Sequence, residues 1–167
     1  MDALDALVTR RSVRKYKPDP VPQDLLVKIV DAGRLAPTAH NDQAWEFVVI
    51  TDEQRRHQLA DLADYGKFIA DAPACIVVLS EPTRYYLEDG SAATTNIMLA
   101  ATALGLGSCW VAGDKKQYAP QIVSLCGAPE NYKLVSMIAI GYPAAIPAPK
   151  KRSVDDVLHW ESFRGGS

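Results

Sequence analysis

Hydrophobic positions in this chain fall into three patterns, and each predicts a different kind of element. Residues 91–113, SAATTNIMLAATALGLGSCWVAG, carry no charge, and the first sixteen are small or apolar, enough for a helix of about 24 Å. A helix apolar nearly all round has no solvent face, so this one must be covered on several sides by the core or by a second subunit. It stops at Gly105 and Gly107, and an apolar segment over 108–112 continues beyond them. Short continuous apolar runs over 74–80 (ACIVVLS) and 133–141 (KLVSMIAIG) predict strands, the first buried on both faces, and the β-branched stretch 46–51 (EFVVIT) predicts another.

The third pattern is amphipathic. Leu25, Leu26, Ile29, Val30, Gly33 and Ala36 recur at helical spacing between Pro22, which suits a first turn, and Pro37. Leu4, Leu7 and Val8 share a face of a short helix over 2–9, Asp52 caps a helix running to about Ala63, and 121–126 forms a short helix stopped by the turn at 127–131. The polar stretches 38–43 and 81–90 read as loops. Pro143, Pro147 and Pro149 predict an irregular arm over about 142–167, in which Ser153 caps a last turn and Trp160 and Phe163 are expected to dock. Strands and helices alternate around one small sheet, which gives an α/β or α+β class.

Composition narrows the function. A chain of 167 residues suits a single domain, which at this size buries about 70% of its unfolded surface. A net charge of −2 argues against a protein that tracks nucleic-acid phosphates. The long uncharged run is broken by Thr94, Thr95, Asn96, Thr102 and Ser108, so it does not read as membrane-spanning, and the N-terminus lacks a signal-peptide pattern. The expected location is therefore cytoplasmic. Cys75, Cys109 and Cys126 are odd in number and form no Cys-x-x-Cys, as befits buried reduced thiols.

Several catalytic motifs fail. Gly105-Leu-Gly-Ser-Cys-Trp begins like a dinucleotide fingerprint, but Trp110 stands at the third glycine, and the order is helix, glycines, strand rather than strand, glycines, helix. There is no Walker loop and no Gly-x-Ser-x-Gly elbow, and His40, His57 and His159 lack metal spacing. Two basic clusters remain, at 10–17 and 150–152. Arginines with an interposed serine suit a phosphate, and the same charges suit solvated basic faces. The stretch 37–45, PTAHNDQAW, offers Asn41 and Gln43 amides that could read a heterocycle's edge or bond the backbone of a turn.

Taken together, Arg10-Arg11-Ser12-Val13-Arg14, the Ala36-Pro37-Thr38-Ala39-His40-Asn41-Asp42-Gln43-Ala44-Trp45 loop, the apolar helix ending Leu104-Gly105-Leu106-Gly107-Ser108, Ile140-Gly141-Tyr142-Pro143 and the late Lys/Arg pair resemble the nitroreductase family of flavoproteins, in order and over nearly the whole chain. The resemblance implies an α+β fold in which a small, mainly antiparallel sheet is flanked by helices around the central apolar helix. It also implies a single FMN-binding domain over 1–167 with 142–167 as the arm, and an intertwined homodimer with FMN at the interface. Reducing equivalents would pass from NADH or NADPH to a small electrophilic acceptor, a nitroaromatic or a quinone, by a ping-pong cycle on flavin N5 with no catalytic side chain. By the same resemblance Arg10, Ser12 and Arg14, helped by Arg11, hold the phosphate; Lys150 and Arg152 approach it from the arm. Pro37, Thr38, Ala39 and Asn41 come from the partner subunit, with Gln43 steadying their loop or touching the cofactor. The backbone at Trp110, Ala112 and Gly113 faces the ring, and Gly107 gives it close approach. Lys67 is the candidate for the pyrimidine edge, and Tyr85 and Tyr86 for partial cover. Within the family the alternatives are dehalogenation or flavin breakdown, and outside enzymes a flavin-binding or regulatory dimer with little turnover.

Overall fold

The computed structural model describes residues 1–163. Five helices, α1 (Ala3–Thr9), α2 (Gln23–Arg34), α3 (Glu53–Leu62), α4 (Tyr86–Ala103) and α5 (Ala119–Leu125), surround four strands, β1 (Trp45–Ile50), β2 (Ala74–Ser80), β3 (Gly107–Ala112) and β4 (Lys133–Gly141). Every neighbouring pair in the sheet is antiparallel, in the order β1-β2-β4-β3. The α+β reading therefore holds, and β2 and β4 have the limits that their apolar runs predict. They are the two central strands, which is why their residues are apolar at consecutive positions rather than at alternate ones.

Strand alternation divides the core into two layers. Cys75, Val77 and Leu79 of β2 face Leu59 of α3 and Ile122 of α5, while Ala74, Ile76 and Val78 face Ile29 of α2 and Ile97 of α4. Each of these large side chains contributes about 1.5–3 kcal/mol by leaving water. Acidic caps start the short helices: the Asp2 carboxylate accepts the Asp5 N–H at 2.8 Å, and Asp52 accepts that of Arg55 at 2.9 Å.

Three expectations change. The central helix begins at Tyr86 and not at 91, so the connection after β2 is only five residues long. The signal was hidden because Asp89 and Gly90 are poor helix-interior residues, yet both are buried. Within a single chain α4 is not enclosed all round: Ala93, Thr94, Ile97, Met98 and Ala101 are buried, but Thr95, Ala103 and Leu104 are exposed. Trp160 and Phe163 are not docked and remain 74% and 75% exposed. Backbone bonds pin the arm at its root, where the Ala144 N–H donates to the Lys15 carbonyl at 2.9 Å and the Lys17 N–H to that of Tyr142 at 2.8 Å. Farther along, the Ser153 and Asp156 side chains each accept the other's N–H, closing the expected turn.

The exit of α4 explains its two glycines differently. Gly105 (φ 80°) is the left-handed residue that ends the helix, and the Leu106 N–H reaches back to the Ala101 carbonyl at 2.8 Å. A Cβ on Gly107 would stand 2.8 Å from the Val13 side chain, so this glycine permits close approach of the chain's own N-terminal segment.

Candidate functional site

The N-terminal basic segment lies along the outer edge of β3. Ser12 pairs with Ser108 in a parallel bridge, and the Val13 N–H donates to the Ser108 carbonyl at 2.9 Å. Tyr16 locks the segment from beneath: its hydroxyl donates to the Val13 carbonyl at 2.6 Å, with the Ala139 carbonyl at 3.2 Å, and burial pushes its pKa well above the ordinary phenol range. Five of the eight residues from 10 to 17 are basic. In this extended segment Arg10, Ser12 and Arg14 recur at a period of two. With Arg11 they line a cleft of about 500 Å³, closed on its far side by Pro147, Pro149 and Lys151 of the arm.

Within this cleft the carried-over residues are not equivalent. The Arg11 guanidinium donates to the Val8 and Arg10 carbonyls at 2.8 Å each, so much of its hydrogen-bonding capacity is spent on the end of α1. From the arm it is Lys151 that reaches the cleft; Lys150 and Arg152 do not line it, and the Arg152 guanidinium is turned to the Asp156 carbonyl.

Arg14 also lines a second, smaller cleft of about 140 Å³ with Tyr65, Phe68, Cys109, Trp110, Val111, Ala112, Lys116 and Tyr118. Its guanidinium lies over the Phe68 ring, 5.8 Å from the centroid. Burial raises the Cys109 thiol pKa, while Arg14 and a hydrogen bond from Ser12 pull the other way. Ladder geometry decides which backbone groups face the cleft. The Gly113 N–H donates to Val135 at 3.1 Å, so residues of that parity on β3 point toward β4, and Trp110 and Ala112 point outward. Outward acceptors confirm the parity: the Ser108 carbonyl takes the Val13 N–H, and the Ala112 carbonyl takes the Tyr118 hydroxyl at 2.6 Å. Of the three backbone positions carried over, Gly113 is thus spent inside the sheet, and Trp110 and Ala112 present N–H groups to the cleft. Lys67 does not reach it either; its ammonium donates to the Ala60 and Asp61 carbonyls at 2.9 and 3.1 Å, at the end of α3.

The loop over 37–43 stands elsewhere. It leads into β1, the opposite edge strand from β3, three inter-strand spacings or about 14 Å away. His40, Asn41 and Gln43 take left-handed φ values of 54°, 59° and 49°. Gln43 steadies the turn: its side chain donates to the Asn41 carbonyl and its N–H to the Thr38 hydroxyl, both at 3.4 Å. Asn41 and His40 are left exposed. None of Pro37, Thr38, Ala39, Asn41 or Gln43 lines either cleft that contains Arg14.

A basic cleft and an aromatic, amide-edged cleft therefore meet at Arg14. Ser108 adds a buried hydroxyl without a hydrogen-bond partner among the described residues. Against this geometry, the Nitroreductase family model matches residues 7–65 and 63–142. The chain belongs to the nitroreductase family. A Methanothermobacter thermautotrophicus relative, provisionally named NADH dehydrogenase/NAD(P)H nitroreductase, is 34% identical over 98% of this chain and 88% of its own. A Bacteroides thetaiotaomicron structure with the same provisional name superposes with a TM-score of 0.91 at 31% identity, covering 96% and 98% of the two chains. An FMN-dependent nitroreductase from Clostridium difficile gives 0.86 at 32% identity, covering 96% and 99%.

In this nitroreductase-family chain, the motifs at 10–14 and 110–112 come together as sequence reasoning expected. Tyr65, Phe68, Lys116, Tyr118 and Lys151 were missed. Tyr65 and Phe68 precede a strong strand and looked like connection; only the fold shows that they close the cleft beside Arg14.

Proposed function

We propose that this chain is an FMN-dependent oxidoreductase that carries reducing equivalents from NADH or NADPH to an electrophilic small molecule. The observation that carries this reading is the shared position of Arg14, which joins a site for a doubly charged phosphate to a site for a flat heterocycle. Arg10, Ser12, Arg14 and Lys151 would hold the phosphate, and the N–H groups of Trp110 and Ala112 would face the ring. The residues fit the cofactor: the cleft is basic at one end, and the unpaired Ser108 hydroxyl lies on the strand between. When bound, FMN supplies the two-electron chemistry. The protein binds it, orients it and places donors where negative charge grows on reduction.

The working unit in this proposal is a cytoplasmic homodimer of single FMN-binding domains with extended arms. Three features support a second copy: the exposed flank of α4, the undocked Trp160 and Phe163, and the separation of the 37–43 loop from its own chain's clefts. In the dimer that loop serves the other subunit's site.

Purified protein should be yellow, and under anaerobic conditions NADH or NADPH should bleach it. Re-oxidation by a quinone or nitroaromatic, with parallel double-reciprocal plots, completes the test. A yellow protein that neither nucleotide bleaches would leave only a flavin-binding module, and a colourless protein that takes up no FMN would end the reading.

A further inference from the structure

The two loops that the proposed site draws on, 37–43 and the turn after β3, lie off opposite edges of the sheet, yet both are tied to one turn of one helix. Asp89, in the first turn of α4, is 6% exposed; its Oδ1 accepts the Ala39 N–H at 3.1 Å, and its Oδ2 is buried with no hydrogen-bond partner among the described residues. Three residues earlier, the Tyr86 hydroxyl donates to the Asp114 carboxylate. Positions i and i+3 share a helix face, so both contacts leave α4 from neighbouring points.

Each contact falls where a loop needs outside support. In the first loop three non-glycine residues hold left-handed φ angles, a conformation that costs energy and persists only when surroundings enforce it. Within the loop the Asp42 N–H bonds the Ala39 carbonyl at 3.0 Å, and the other bonds are longer, 3.3 Å from the Asn41 N–H to Thr38 and 3.4 Å at Gln43. The Asp89 contact is the link to the body of the fold, and a carboxylate there is favoured by the N-terminal end of the helix dipole. The second loop likewise holds Lys115 at φ 58°, closes with a 3.3 Å bond from the Lys116 N–H to Gly113, and carries Lys116 into the small cleft. Asp114 sits between Gly113 and Lys115, and hydrogen bonding to it, with some burial, pushes the Tyr86 phenol up to about 12. Tyr86 is therefore not loose cover over the site but one end of a strut.

We infer that the first turn of α4 is a bracket for both cofactor-facing loops, with Asp89 the positioning residue for the 37–43 loop and Tyr86 for the loop that follows Ala112. This rests on the FMN reading above. A merely structural role would make both contacts ordinary stabilising bonds whose loss lowers the melting temperature and nothing else.

The test is titration of FMN-stripped full-length protein with FMN, read by quenching of flavin fluorescence, together with the visible spectrum of the bound flavin. Asp89→Ala should raise the FMN dissociation constant about tenfold, while Asp89→Asn, which keeps an acceptor for the Ala39 N–H, should return it to within about twofold. Ala39→Pro removes the donor from the other side without touching the core. Thr38 already has the extended φ −130°, ψ 151° that a following proline requires, so this variant should reproduce the loss even if Asp89→Ala does not fold. Tyr86→Phe should leave affinity within about threefold but shift the visible absorption band of the bound flavin, because the amides beside the ring move. Wild-type affinity in Ala39→Pro, or a Tyr86→Phe spectrum that superimposes on wild type, overturns the bracket while leaving the FMN reading intact. A wild-type protein that quenches no FMN overturns the FMN reading and the bracket with it.

Discussion

The two edges of the sheet are built differently. At the β3 edge the chain supplies its own cover: residues 12–13 bond to Ser108, Tyr16 locks them from below, and the result is a lined cleft on either side of Arg14. Among the described residues, no segment pairs along the β1 edge in this way. Val49 is exposed, and between β1 and α2 runs a groove of about 830 Å³ lined by Val21, Leu26, Val27 and Val30 among others. An uncovered edge strand beside an apolar groove is a pairing surface that monomeric proteins blunt. One edge thus carries the clefts that share Arg14 and the other does not, and in the proposed dimer the difference means that a chain would complete its phosphate end alone while leaving its Asn41 loop to act on a second copy.

The largest expected effect comes from the residue both clefts share. Arg14→Ala should weaken FMN binding by roughly 2–3 kcal/mol, or about 30- to 150-fold, because one guanidinium is lost from the phosphate end and from the ring end at once. Arg11→Ala should cost less than about threefold, since that guanidinium is already engaged with Val8 and Arg10. Equal losses in equilibrium titration would show that the β3 edge has no focal residue.

Next in size is a substitution that pries the β3 edge open. Gly107→Val places carbon against Val13, where a Cβ alone comes within 2.8 Å, so residues 12–14 must lift from β3. Thermal unfolding should show a loss of about 1–3 kcal/mol, the ordinary range for overpacking, accompanied by a loss of FMN uptake. Uptake at the wild-type level would separate the segment from the site.

The proposed second copy is tested by the arm. A chain ending at residue 146 removes Trp160 and Phe163, both largely exposed, and Lys151 of the basic cleft. Light scattering should report a monomer where the full-length chain is a dimer, with near-native far-ultraviolet circular dichroism, because the core contains no residue of the arm beyond its root. A truncated chain that stays dimeric would take the arm out of the contact and leave it to α4 and the β1 edge.

How much of this was legible in the sequence follows from the same contrast. Buried centre strands announce themselves, because a strand enclosed on both faces must be apolar at every position; hence 74–80 and 133–141 were read to the residue. The first turn of α4 was not legible, since the burial of Asp89 and Gly90 depends on partners 50 and 45 residues away, Ala39 and Val135. The chemistry at 10–14 could be read because it is local and charged. The orientation of the β3 amides could not, as it depends on register with β4: the same residues shifted by one would present Gly113 in place of Ala112. Tyr118 was invisible for the same reason, its bond to Ala112 being a product of the loop that follows.

The smallest effect compares edge with centre through two thiols. Cys75 sits on β2, is fully buried, and burial is the main cause that pushes its pKa up to about 12. Cys109, on β3, is also raised by burial, but it lines the small cleft and is partly relieved by Arg14 and by Ser12. The thiolate is the reactive species, so at pH 8 a thiol reagent should modify Cys109 before Cys75, and FMN should slow the first reaction without altering the second. The sign with pH is fixed as well. A thiol whose pKa is higher folded than unfolded stabilises the fold fully below its unfolded value near 9, and that contribution from Cys75 is lost as pH rises toward about 12. Replacing Cys75 with alanine should therefore flatten the alkaline fall in stability, measured by denaturant unfolding between pH 9 and 12, more than replacing Cys109 does. The reverse order would mean that the β3 edge, and not the centre of the sheet, is the drier place.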